Sequence, residues 1–202
     1  MTVDKIILRA FLTTLASVAI LFLFMITALV CVYPQTMMKL TYDLGMEKAS
    51  VWFAEVSYDR SDDVYYIAYA TEVAIGQQNY EKIESCGERL ISDVGFSDFC
   101  ANKNAGQSTE IDMTYAQYVY GEVCAAKYVR GQAKDAVDLA FELTGENVFP
   151  KNNAVVAVLF ATLSENDGET VGMIREKMNK QTQMSTEDKA YFDAILALTE
   201  SK

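Results

Sequence analysis

The chain contains no histidine. That one absence removes Ser-His-Asp triads, Cys-His dyads, HExxH zinc sites and His-ligated haem together. Four cysteines are present, but none forms a C-x-x-C pair, so neither a thiolate zinc site nor a dithiol redox motif is indicated. There is no N-x-S/T sequon, which fits a bacterial protein. No segment sustains alternation of apolar and polar residues, so no sheet is expected. Basic residues are scarce: 17 Lys and Arg stand against 28 Asp and Glu, a net charge of −11. Such a surface repels phosphate backbones and anionic headgroups, so nucleic acid is not an expected partner. Ser164 to Glu169 passes briefly for a calcium loop, but it lacks the leading Asp and closing Glu of an EF-hand and reads as a capped turn. Lone carboxylates on helix faces can act as acid and base, yet their spacing nominates no pair. No catalytic residue, metal site or cofactor is therefore expected, and the chain reads as a non-enzyme.

What is present is a run from Ala10 to Tyr33 with no charge, glycine or proline. As a helix these residues reach roughly 36 Å, enough to cross a hydrocarbon core of about 30 Å with some tilt. Lys5 and Arg9 precede it, as in a secretory signal, but the run exceeds a signal's apolar region. Bulky residues (Leu29, Val30, Val32) also stand where cleavage wants small ones, and Val30 before Cys31 disfavours a lipid-modification site. An uncleaved anchor is the reading, with a cleaved signal or a buried core helix as alternatives. Pro34 should end the helix, and Tyr33 should sit at the membrane interface. The Lys/Arg bias across the run is small, and a tail of only nine residues suits a signal-anchor. The expected topology is a single pass through the plasma membrane, with the C-terminal part outside the cytoplasm.

Behind a tail at 1–9 and the anchor at 10–33, residues 34–61 read as a juxtamembrane linker and a first amphipathic helix. Gln35 to Leu44 is short, reads as lying near the membrane surface, and is broken by Gly45. From Met46 to Tyr58 the apolar positions Met46, Ala49, Trp52, Phe53 and Val56 form a helical stripe expected to face inward. Ser61 or Asp62 should cap the next helix. Residues 62–202 then read as a helical domain. Its helices are expected at Val64–Gly76, Tyr80–Ser92, from Asp112 as N-cap to Gly131, Gln132–Thr144, Asn153–Ser164, Glu169–Lys180 and Thr186–Leu198. Residues 93–111 read as a long connection with a small apolar knot at Phe96, Phe99 and Cys100.

In Tyr128-Val129-Arg130-Gly131-Gln132-Ala133-Lys134-Asp135-Ala136-Val137 a turn glycine is followed five residues on by a small alanine that lets two helices approach. Gln77-Gln78-Asn79-Tyr80-Glu81-Lys82-Ile83 offers the turn and its tyrosine, with Ile83 in place of the alanine. These stretches resemble tetratricopeptide repeats, over residues 62–180 at most. The resemblance implies an all-α fold, an N-terminal transmembrane helix followed by helical hairpins in a right-handed solenoid, and a concave face lined by each pair's first helix. Tyr65, Tyr66, Tyr69, Tyr115, Tyr118, Tyr120 and Tyr128 lie on those first helices. Tyr65, Tyr69, Tyr115 and Tyr118 are the candidate groove for a protein or peptide partner, ordinary core packing being the alternative. Buried thiols outside any disulfide are the default reading of the domain cysteines; if the domain lies outside the cytoplasm, Cys86 and Cys100 are the pair closest in sequence for a disulfide. The functional expectation is a membrane-anchored interaction scaffold or assembly factor. The alternatives are an accessory or sensor subunit of a membrane complex and a carboxylate-dependent extracytoplasmic hydrolase.

Overall fold

A run free of charge and of helix breakers stays helical until a proline stops it, and α1 extends from Val3 to Val32. The computed structural model describes residues 3–105, 114–142, 153–165, 168–180, 186, 189–190, 192–194 and 197. Among them helix is the regular structure throughout and strand is absent. They divide into two compact units, Met1–Asp62 and Asp63–Lys202.

In the first unit, the 26 residues Ile7–Val32 of α1 are long and apolar enough to cross a membrane, and none is buried against the protein. The hydroxyls of Thr13, Ser17 and Thr27 donate to carbonyls four residues back at 2.8 to 2.9 Å, which satisfies them within the helix itself. Tyr33 leaves helical geometry at φ −130°, as expected before a proline, but Pro34 also starts α2, Pro34–Asp43. The expected linker is therefore a helix. Gly45 turns the chain at φ +72° and α3 runs from Glu47 to Ser61. Pro34, Met38 and Thr41 are the buried residues of α2, and Ser50, Val51, Phe53, Ala54 and Ser57 those of α3. Ser50 Oγ donates across to the Met38 carbonyl at 2.9 Å. The inward face expected of α3 is thus corrected. Of its apolar stripe only Phe53 is buried, while Met46 and Trp52 are exposed. Small residues allow closer approach of two helix axes than a stripe of Trp and Met.

The second unit opens at Asp63, whose carboxylate accepts from the Tyr65 N–H at 3.0 Å. The cap falls one residue beyond the expected pair, because Asp62 takes up the left-handed end of α3 at φ 51°. Helix α4 (Val64–Gly76) turns through Gln77 and Gln78 into Asn79, which caps α5 (Tyr80–Ile91). A ten-residue helix, α6 (Phe96–Ala105), occupies much of the expected connection. Helix α7 (Tyr115–Val129) starts from Thr114, which forms a capping box with Gln117, in place of the expected Asp112; Asp112 lies outside the described residues. Gly131, at φ +83°, turns the chain into α8 (Ala133–Glu142). Then come α9 (Asn153–Glu165) and α10 (Gly168–Lys180). The closing helix expected at 186–198 lies mostly outside the described residues, although Phe192 is buried and stacks on Phe141 at 5.9 Å.

Helices α4 and α5, α7 and α8, and α9 and α10 pack as pairs, with α5 also on α7, α7 on α9 and α8 on α10. The α5–α7 seam is close because Gly87 faces Val123. Ile83, Cys86, Leu90, Val119, Val123 and Cys124 fill the core along it.

Candidate functional site

The tyrosines expected to line an open groove divide on folding. Tyr115 is 6% exposed and belongs to the core. Its hydroxyl donates to Glu72 Oε1 of α4 at 2.8 Å, and its N–H donates to Asn104 Oδ1 of α6 at 2.9 Å. Phe99 meets its ring edge-on at 5.6 Å, and the Lys103 ammonium lies 5.2 Å from its centre while pairing with Glu72 at 2.9 Å. Helix α6 therefore covers Tyr115, and the groove expected there is corrected to a packed junction of α4, α6 and α7. Tyr118 is half-buried beside Tyr115, the two ring centres 6.4 Å apart. Tyr65 is exposed and packs edge-on against Tyr66 of its own helix, so the fold does not bring it to the Tyr115 cluster. Tyr69 is half-buried.

The junction holds its protons firmly. Burial raises the Tyr115 phenol well above its ordinary value, and the Glu72 charge and hydrogen bond add to that. Burial likewise raises Tyr118, with Glu122 and Glu72 contributing, and lifts the Glu122 carboxyl. Tyr115 is thus a neutral donor to a carboxylate across the neutral range.

The Cys86–Cys100 disulfide is not formed. Both thiols are buried outside any disulfide, Cys86 on α5 and Cys100 on α6, a helix that packs on α4 and α7. Burial pushes the Cys100 thiol up to about 11 and Cys124 up to about 12, the nearby Lys127 offsetting the latter only in part.

A second feature escaped the sequence reading. Helices α5, α7 and α8 border an open, shallow cleft of about 570 Å³ lined by Glu88, Asp135, Asp138 and Glu142 around Lys127, with Leu139 on its wall. The Lys127 side chain is 9% exposed; it pairs with Glu88 and lies 3.9 Å from Glu84. Arg130 Nε stands 2.5 Å from the other Glu84 oxygen but off the line of its N–H, so this buried oxygen takes a charge contact without a hydrogen bond. Asp138 pairs with Lys177 of α10 at 2.5 Å. Among the described residues Asp135 and Glu142 have no ion-pair partner, so the rim carries uncompensated negative charge. The legible signal was the spacing of Asp135, Asp138 and Glu142, three and then four residues apart along one helix. Among the described residues no group of three or more His, Cys, Asp or Glu is arranged to hold a metal ion.

The chain matches no protein-family model, no curated protein and no solved structure.

Proposed function

We propose that this is a single-pass, membrane-anchored helical scaffold that holds a cationic segment of a partner protein in the cleft between α5, α7 and α8. The observation that carries the reading is the cleft itself. It is an open depression whose carboxylates Asp135 and Glu142 have no ion-pair partner among the described residues. Its one central cation, Lys127, is already held by Glu88. Charge of one sign in a concave, partly desolvated wall draws in and orients segments of the opposite sign. The pairing of α4 with α5, α7 with α8 and α9 with α10 supports a tetratricopeptide-like stack, as does Ala136, fully buried five residues beyond the Gly131 turn. Helix α1 supplies the anchor. The protein belongs to a bacterial plasma membrane, with the helical domain outside the cytoplasm, and works by binding rather than by catalysis.

Titration of the full chain in lipid nanodiscs with a fluorescent Lys/Arg-rich decapeptide tests this reading. The expected result is saturable, salt-weakened binding that falls at least roughly tenfold, about 1.4 kcal/mol, in the triple variant Asp135→Asn/Asp138→Asn/Glu142→Gln. Equal affinity in wild type and triple variant overturns it.

A further inference from the structure

Between α2 and α3 the first unit buries the small or hydroxyl residues Thr41, Ser50, Ala54 and Ser57 alongside Pro34, Met38, Val51 and Phe53, and it leaves Leu40, Leu44, Met46 and Trp52 in the open. Trp52 is 50% and Leu44 65% exposed. Small and hydroxyl residues between helices, with large apolar ones turned outward, are how helices pack when lipid rather than water surrounds them. The exposed residues of α2 are also ordered. Exposed Tyr33, Leu40 and Leu44, with half-buried Met37, follow one another at four, three and four residues along α2 and its two cap positions, while exposed Gln35, Lys39 and Asp43 fall on another side.

The stripe begins where α1 ends. Pro34 closes α1, and the Cys31 carbonyl in its last turn accepts from the guanidinium of Arg60, at the far end of α3. Both ends of the hairpin are thereby tied to the final turn of α1, with Tyr33 and Arg60 at the level where aromatic rings and snorkelling cations collect.

We propose that the α2–α3 hairpin docks on the lipid surface, its Tyr33–Leu40–Leu44 stripe and the Trp52 ring set among headgroups and upper acyl carbons. This rests on reading α1 as a span. Lys39 and Lys48, both exposed, stay in water beside the headgroup phosphates. The hairpin then fixes the base of the protein on the bilayer.

Trp52 is the single tryptophan, so a Trp52→Phe background carries no tryptophan emission, and selective tryptophan excitation avoids the tyrosines. In that background Leu44→Trp and Asp43→Trp place reporters on and off the stripe, one residue apart. The full-length variants are reconstituted in phosphatidylcholine vesicles whose acyl chains are brominated close to the headgroup. Matching far-UV circular dichroism establishes that both are folded. The expected result is quenching several-fold stronger for Leu44→Trp than for Asp43→Trp, with native Trp52 also quenched. Equal quenching of the two, or a blue-shifted but unquenched Leu44→Trp covered by protein, overturns the docking. Alkaline carbonate treatment of the same vesicles separates the two ideas. Retention without quenching removes the docking and leaves the anchor, whereas release removes both.

Discussion

At the scale of the residue, Tyr115 and the thiols show what folding adds to a side chain's chemistry. A tyrosine on a helix reads from sequence as rim or core alike; only the arrival of Glu72, Phe99 and Lys103 from two other helices decides for the core. The cysteines were more legible, since lone Cys at apolar helical positions behaves as a small hydrophobe. Cys86, Cys100 and Cys124 are all buried and none is in a disulfide. Their protonation has a consequence for stability. The folded values of about 11 for Cys100 and about 12 for Cys124 lie above the ordinary 9.0. A thiol raised in this way favours the folded state fully below pH 9, and the advantage drains away as the pH climbs toward the folded values. The raised phenols of Tyr115, Tyr118 and Tyr120 act in the same direction, in a higher window. The denaturant midpoint of the full chain in detergent should therefore fall between pH 9 and 11, and the buried thiols should resist alkylation at pH 8 until denaturant is added. A flat or rising midpoint contradicts this assignment.

At the scale of the element, the helices whose own apolar stripe meets a neighbour were readable. Ile83, Gly87, Leu90 and Ile91 on α5 are expected inward from spacing alone; the first three are buried and Ile91 is half-buried. Two elements were not readable in this way. Helix α6 hides its periodicity in mixed chemistry: Phe96, Phe99, Cys100, Lys103 and Asn104 fall at helical spacing, but two of the five are polar and act through hydrogen bonds and ion pairing to α4 and α7. Helix α3 departs from its expected stripe in another way: Ser50, Ala54 and Ser57 are buried together with Val51 and Phe53, while Trp52 is exposed. The tightest element contact gives a sharp test. A Cβ on Gly87 would lie 2.2 Å from Val123 Cγ2, so α5 and α7 must part or Val123 must leave its rotamer. Gly87→Ala should cost about 1 to 3 kcal/mol in a denaturant titration, despite the better helix propensity of alanine. Restoration of stability in the double variant Gly87→Ala/Val123→Ala locates the loss in that contact. A neutral or stabilising Gly87→Ala denies the close seam.

At the scale of the whole molecule, an apolar N-terminal helix with no buried residue is joined to a unit of paired helices in a chain of net charge −11. Removing Asp4, Lys5 and Arg9, which precede the apolar run, makes the remainder one unit more negative still. The two halves need different solvents: the helix loses free energy in water, while the carboxylates lose it in lipid. The all-helical class and the apolar run were plain from composition and periodicity. The cleft was not, because it is assembled from three helices whose order in space no local pattern encodes. Density-gradient flotation of native membranes after alkaline carbonate treatment, followed by detection of the full-length chain, addresses the anchor most directly. The intact polypeptide is expected in the floating lipid band; its recovery in the dense load fraction with soluble proteins would contradict the anchored scaffold.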